Sequence, residues 1–154
     1  MDIRISSDYE DMFKVLNKYK VKYLVVGAYA VIYYTEPRYT KDIDILIKTD
    51  PENAFKTYEA LKEFGAPLKG ISTQDFANKN NVYQIGIPPV RIDIISGIKN
   101  IDFDAAWEKR VKTKYGSQVI NIVGMDELIK SKKRLSRVHD REDTEKLRRL
   151  KRGR

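Results

Sequence analysis

Arg38-Tyr39-Thr40-Lys41-Asp42-Ile43-Asp44-Ile45-Leu46-Ile47 is the stretch on which the reading of this chain turns. Four aliphatic residues follow or interrupt the two acids, which marks a strand entering a core. Side chains at i and i+2 of a strand point to the same face, so Asp42 and Asp44 stand side by side. Two unpaired carboxylates against a core would cost several kcal/mol, and a divalent cation removes that cost. The pair therefore reads as half of a metal site. A competing reading makes them solvent-facing acids paired with Lys41 and Arg38, since charges are usually exposed.

Upstream, Tyr23-Leu24-Val25-Val26 is a short apolar strand that runs through Gly27-Ala28 directly into Tyr29-Ala30-Val31-Ile32-Tyr33-Tyr34. This is a strand, a tight turn and a helix. Gly27 permits a backbone conformation and a close approach that a side chain would obstruct. The unpaired N–H groups of the helix start then suit a phosphate. A phosphate cradle beside a metal-binding acid pair implies phosphoryl or nucleotidyl transfer.

A third carboxylate is available in Arg91-Ile92-Asp93-Ile94-Ile95, a second apolar run with one acid inside it. In the mechanism this predicts, Asp42 and Asp44 hold the metal on the triphosphate and share a second metal with Asp93. Asp93 also receives or directs the proton of the attacking hydroxyl. All-oxygen ligands suit Mg2+, with Mn2+ as substitute. The plainer alternative pairs Asp93 with Arg91 on the same strand face.

Val26-Gly27-Ala28-Tyr29-Ala30, then Arg38-x-Thr40-x-Asp42-Ile43-Asp44-Ile45, then Arg91-Ile92-Asp93 resembles the nucleotidyltransferase superfamily with a polymerase-β-like catalytic core. Within it the chain is similar to small prokaryotic members related to abortive-infection toxins. The resemblance spans roughly residues 20 to 150. It implies an α/β (α+β) fold, a mixed β-sheet flanked by helices with further C-terminal helices. It also implies an NTP donor, here ATP or another NTP, and transfer of a nucleoside monophosphate to a hydroxyl. Thr40 would position the carboxylate strand, and Arg38 would lie near the phosphates. Where the family usually has Gly-Gly or Gly-Ser, this chain has Gly27-Ala28. Ala28 keeps its backbone N–H but lacks the serine hydroxyl that contacts phosphate. Family members also place a lysine on the penultimate helix near the nucleotide, matched here by Lys132 or Lys133, and an acid at the start of the last helix, matched by Asp143. A solvated helix face explains the lysines equally well.

Length fits one domain over residues 1–154, with a core from about 20 to 123 and a basic helical segment from about 125 to 154. Cysteine is absent, no apolar run approaches a membrane span, and the start Met1-Asp2-Ile3-Arg4 does not resemble a signal peptide, so the expected compartment is the cytoplasm. Residues 1–128 balance 18 Lys+Arg against 18 Asp+Glu, while residues 129–154 carry 12 against 4, so the net charge of +8 resides in the last segment. A basic segment on a nucleotide-handling core points to a polyanionic acceptor, with RNA or tRNA leading. Solubility alone is the plainer explanation. By family analogy the chain would act as the toxin of a toxin–antitoxin or phage-defence pair, with a cognate antitoxin as partner. Three alternatives stand beside this reading: an antibiotic-modifying transferase, a protein-modifying transferase, and a non-catalytic nucleotide- or RNA-binding member.

The remaining pattern supplies the frame. Asp8 to Lys18 has helical spacing, turning Met12, Phe13 and Leu16 inward, with Ser7 or Asp8 as cap. Asp50-Pro51 opens a helix to about Phe64, ended by Gly65. Ser72 to Lys79 is expected to form a short helix. Tyr83–Ile87 and Val90–Ile95 form two strands around Pro88-Pro89. Phe103, Ala106 and Trp107 anchor the next segment in the core. Val111–Tyr115 and Val119–Val123 form a hairpin, and Met125-Asp126 leads into a helix running to about Leu135. A last helix is expected from near Asp140, and His139 before it is exposed. Tyr29, Tyr33, Tyr34 and Tyr39 cluster near the site, where a ring would stack on a base or pack in the core.

Overall fold

In a computed structural model, residues 6–35, 42–87 and 90–132 are described. They form a six-stranded mixed sheet in the order β3-β4-β2-β1-β6-β5. The strands are β1 (Tyr23–Val26), β2 (Asp42–Ile47), β3 (Val82–Ile87), β4 (Val90–Ile95), β5 (Val111–Tyr115) and β6 (Gln118–Ile122). The helices are α1 (Ser7–Lys18), α2 (Gly27–Tyr34), α3 (Pro51–Phe64), α4 (Phe103–Glu108) and α5 (Met125–Lys132). The expected mixed sheet with flanking helices is the observed architecture.

Strand β1 is buried along its whole length. It runs antiparallel to β2, with Val26 opposite Asp44, and parallel to β6. On the far side β2 pairs in parallel with β4, and β4 antiparallel with β3. Alternation sorts the side chains. Tyr23, Ile43, Ile45, Ile92 and Ile94 form the face packed against α1 and α3, where Phe13 of α1 stacks on Tyr23 at 5.9 Å. Met12, Phe13 and Leu16 are fully buried, each contributing about 1.5–3 kcal/mol by leaving water. Leu24 and Val26 of β1, with Asp42, Asp44 and Leu46 of β2, belong to the opposite face.

Local chemistry fixes the ends of the elements. Helix α3 starts as expected, with the Asp50 carboxylate accepting from the Asn53 N–H and Pro51 in the first turn. It stops at Gly65, whose φ of 92° lets its N–H reach the carbonyls of Leu61 and Lys62. For α1 the cap is Ser6 instead of Ser7 or Asp8, because the Ser6 hydroxyl is the one that accepts from the Tyr9 N–H. The short helix expected over 72–79 is a 3-10 turn at Thr73–Phe76, closed by a Ser72–Asp75 capping box and seated by buried Phe76. The hairpin begins its second strand at Gln118. Buried Asn53 ties β1 to the end of β2: its carbonyl accepts from the Lys22 N–H, and its amide donates to the carbonyls of Lys22 and Lys48.

No helix among the described residues is long and apolar enough to cross a membrane. Arg38, Tyr39, Thr40, Lys133, His139 and Asp143 lie outside the described residues, as does the expected last helix. Lys132 closes α5, and its side chain is also outside them.

Candidate active site

Three elements meet where β1 ends and β2 and β4 begin. Because β2 and β4 are parallel and in register, Asp42 lies beside Arg91 and Asp44 beside Asp93. The i, i+2 spacing then puts all four side chains on one face of two neighbouring strands. One carboxylate oxygen from each of Asp42, Asp44 and Asp93 lies within 4.8 Å of the others. Asp42 and Asp44 are half-buried and Asp93 is 5% exposed.

The third side of the cluster is the turn into α2. Gly27 has φ 68°, a conformation costly for any residue with a Cβ. A Cβ built there would collide with Asp44 Oδ2 and lie 2.9 Å from Asp44 Cγ. The close approach at Gly27 is thus made by the acid strand itself. The N-cap of α2, Val26, makes no side-chain cap bond to its first N–H groups, which include that of Ala28.

The cluster also contains a cation. Arg91 Nη2 donates to Asp42 Oδ2 at 2.9 Å and to Asp93 Oδ2 at 3.2 Å. The pairing of Asp93 with Arg91 therefore exists, and it extends to Asp42. It does not complete the site: the buried Asp93 Oδ1 has no hydrogen-bond partner. An orphaned carboxylate oxygen costs of order 1–3 kcal/mol unless something else engages it. Among the described residues the three acids form a part-buried, all-oxygen donor set with one carboxylate oxygen from each close to the others. That is the chemistry Mg2+ or Mn2+ prefers, so the residues present fit such an ion.

The tyrosines divide. Tyr29 is buried against Tyr115 at 5.7 Å, and burial, then the neighbouring Tyr115, pushes its phenol up to about 12. Tyr34 donates to the Val123 carbonyl and meets Tyr33 edge to face at 5.0 Å. Tyr33, 38% exposed, is the most open to solvent of these three.

Two features escaped the sequence reading. Gln84 on β3 stands opposite Asp93 and is exposed, so the β3 flank offers a polar side chain next to the triad. Alternation along β3 carried that signal. Glu127, in the first turn of α5, is buried with Lys109 at 3.5 Å and Lys130 at 3.7 Å from its Oε1. Nothing in the sequence distinguishes it from a solvated acid.

No protein-family profile and no curated protein matches the chain. Solved structures do share its fold. A lincosamide antibiotic adenylyltransferase, LnuA, with lincomycin bound, superimposes with a TM-score of 0.59 at 15% identity, covering 96% of this chain and 99% of that one. A Thermotoga maritima protein classed as a nucleotidyltransferase gives 0.58 at 18% identity, covering 98% and 97%. An antigenic nucleotidyltransferase-like protein of Paracoccidioides brasiliensis gives 0.59 at 18% identity, covering 95% and 77%. The chain has the fold of these nucleotidyltransferases.

Proposed function

We propose that the protein is a divalent-metal-dependent nucleotidyltransferase that moves a nucleoside monophosphate from an NTP to a hydroxyl acceptor. The observation that carries this is the convergence of Asp42, Asp44 and Asp93 within 4.8 Å, beside a glycine turn shaped around Asp44. Asp42, Asp44 and Asp93 would hold the metal, and Gly27, Ala28, Arg38, Thr40 and Lys132 would meet the donor. When bound, the ion supplies Lewis-acid polarisation of the phosphoryl oxygens and offsets charge on the departing pyrophosphate. Asp93 takes the acceptor's proton at Oδ1, the atom without a partner. The acceptor oxygen then bonds to the α-phosphorus as the bond from that phosphorus to the bridging α–β oxygen breaks. Gly27 keeps Asp44 close to the α2 amides, so phosphate and metal ligand share one turn. Ala28 contributes its N–H without a hydroxyl, which weakens phosphate binding without removing it.

RNA is the acceptor favoured by the charge of residues 129–154, and a toxin role with a protein antitoxin follows by family analogy. A small-molecule acceptor is the second reading. It is supported by the likeness over nearly the full length of both chains to an enzyme named for adenylylating a lincosamide antibiotic.

The test is to incubate the protein with Mg2+ or Mn2+, each α-labelled NTP in turn, and either total RNA or a panel of hydroxylated small molecules. Label should move with wild type and not with the Asp42→Ala, Asp44→Ala double variant. An RNA acceptor would show transfer falling steeply between 50 and about 200 mM salt, whereas a small neutral acceptor would not.

A further inference from the structure

Resting on the metal-site reading above, we infer that Arg91 is a built-in counter-ion that occupies the acid cluster in the metal-free protein and is exchanged for the divalent ion. It is a positioning residue. Its guanidinium lies on two of the three carboxylates that would hold the ion, contacting the Oδ2 atoms of Asp42 and Asp93. While it stays there, its positive charge opposes a divalent ion at the same two carboxylates.

Three details favour exchange over permanent anchoring. Both contacts come from the single nitrogen Nη2, so the planar fork that makes Arg–carboxylate pairs strong is not used against either acid. Arg91 Nε is buried and has no partner, so no acceptor holds the stem of the guanidinium in this pose. The residue opposite Arg91 on β3 is Gly86, which has no side chain to close off the edge of the sheet. The guanidinium can therefore swing towards β3 while its backbone stays fixed, its carbonyl accepting from the Tyr9 hydroxyl. The device has a physical purpose. Three acids on adjacent strands would otherwise repel in the absence of metal, and Arg91 compensates part of that charge.

The experiment is Mn2+ binding followed by electron paramagnetic resonance, with no nucleotide present, on wild type, Arg91→Met and Arg91→Lys. Arg91→Met should bind Mn2+ on the order of tenfold more tightly, the equivalent of losing one charge-assisted competitor. Arg91→Lys should fall between it and wild type. Melting without metal should be lowest for Arg91→Met, and saturating Mn2+ should close that gap. Equal or weaker Mn2+ binding by folded Arg91→Met would overturn the inference, because a residue that orients the acids around a bound ion loses affinity of ten- to a hundredfold when removed. Arginine side-chain NMR of the wild type needs no variant. Mg2+ should shift the Arg91 Nε–Hε signal, and an unmoved signal at saturation would also overturn it. Failure of every form to bind Mn2+ would refute the metal-site reading and this inference together, which distinguishes it from the case where wild type binds and only the sign for Arg91→Met is wrong.

Discussion

Replacing Gly27 by alanine separates what this glycine does for the backbone from what it does for Asp44. At φ 68° an alanine costs about 1–2 kcal/mol in the left-handed region. The new methyl also meets Asp44, whose Oδ2 must retreat by about 1 Å or more to regain ordinary contact. An off-rotamer Asp44 adds about 0.5–1.5 kcal/mol. The total, about 2–3 kcal/mol, corresponds to a melting temperature roughly 4–12 °C lower for a chain of this size. Gly65→Ala is the matched control: its φ is 92° and nothing lies within 4 Å of the added Cβ, so it carries only the backbone cost. Metal ligand distances tolerate only about 0.2 Å. Mn2+ affinity should therefore fall at least about tenfold in Gly27→Ala and remain at the wild-type value in Gly65→Ala. Titration calorimetry or Mn2+ resonance on both variants reads the difference. Unchanged Mn2+ affinity in folded Gly27→Ala would refute the claim that the glycine exists to let Asp44 into the site.

Two further predictions probe the frame. Asn53→Ala removes three part-buried hydrogen bonds that join Lys22 to Lys48, so it should destabilise by about 3 kcal/mol, roughly 6–12 °C by calorimetry, with metal affinity retained. At alkaline pH, the Tyr29 phenol has a folded-state pKa of about 12 against an ordinary 10.0. Because the folded pKa is raised, its contribution is intact below pH 10 and is lost as pH climbs from 10 through 12. Urea midpoints at pH 9, 10 and 11 should decline less steeply for Tyr29→Phe than for wild type; parallel declines would show that Tyr29 is not the titrating group.

Much of this was legible in the residues because its determinants are local. Asp50-Pro51 and Gly65 announce both ends of α3 through capping chemistry that acts within a single turn. Asp42 and Asp44 share a face because strand geometry allows nothing else. The pairing of Asp44 with Asp93 was a different matter. It depends on β2 and β4 being parallel neighbours in one register, and a one-residue slip would turn Asp93 into the core face. The apolar residues on both sides of Asp93 made its strand visible but left its neighbour undetermined. The parallel contact of β6 with β1 is likewise long-range, and no turn signal announces it. Arg91 shows why the competing readings were both partly correct: the arginine at i−2 does pair with Asp93, yet the register adds Asp42 and leaves Asp93 Oδ1 for another role. Glu127 was illegible because an acid in the first turn of a helix usually faces water, and only the tertiary fold buries the group beside Lys109 and Lys130.

The most direct test of nucleotidyl transfer compares two labels on the same donor. With metal, NTP and the accepted acceptor, wild-type protein should move the α-label onto the acceptor and release the γ-label as pyrophosphate, and the Asp42→Ala, Asp44→Ala variant should do neither. Transfer of the γ-label to acceptor, or α-label transfer that survives loss of both acids, would contradict the assignment of this site.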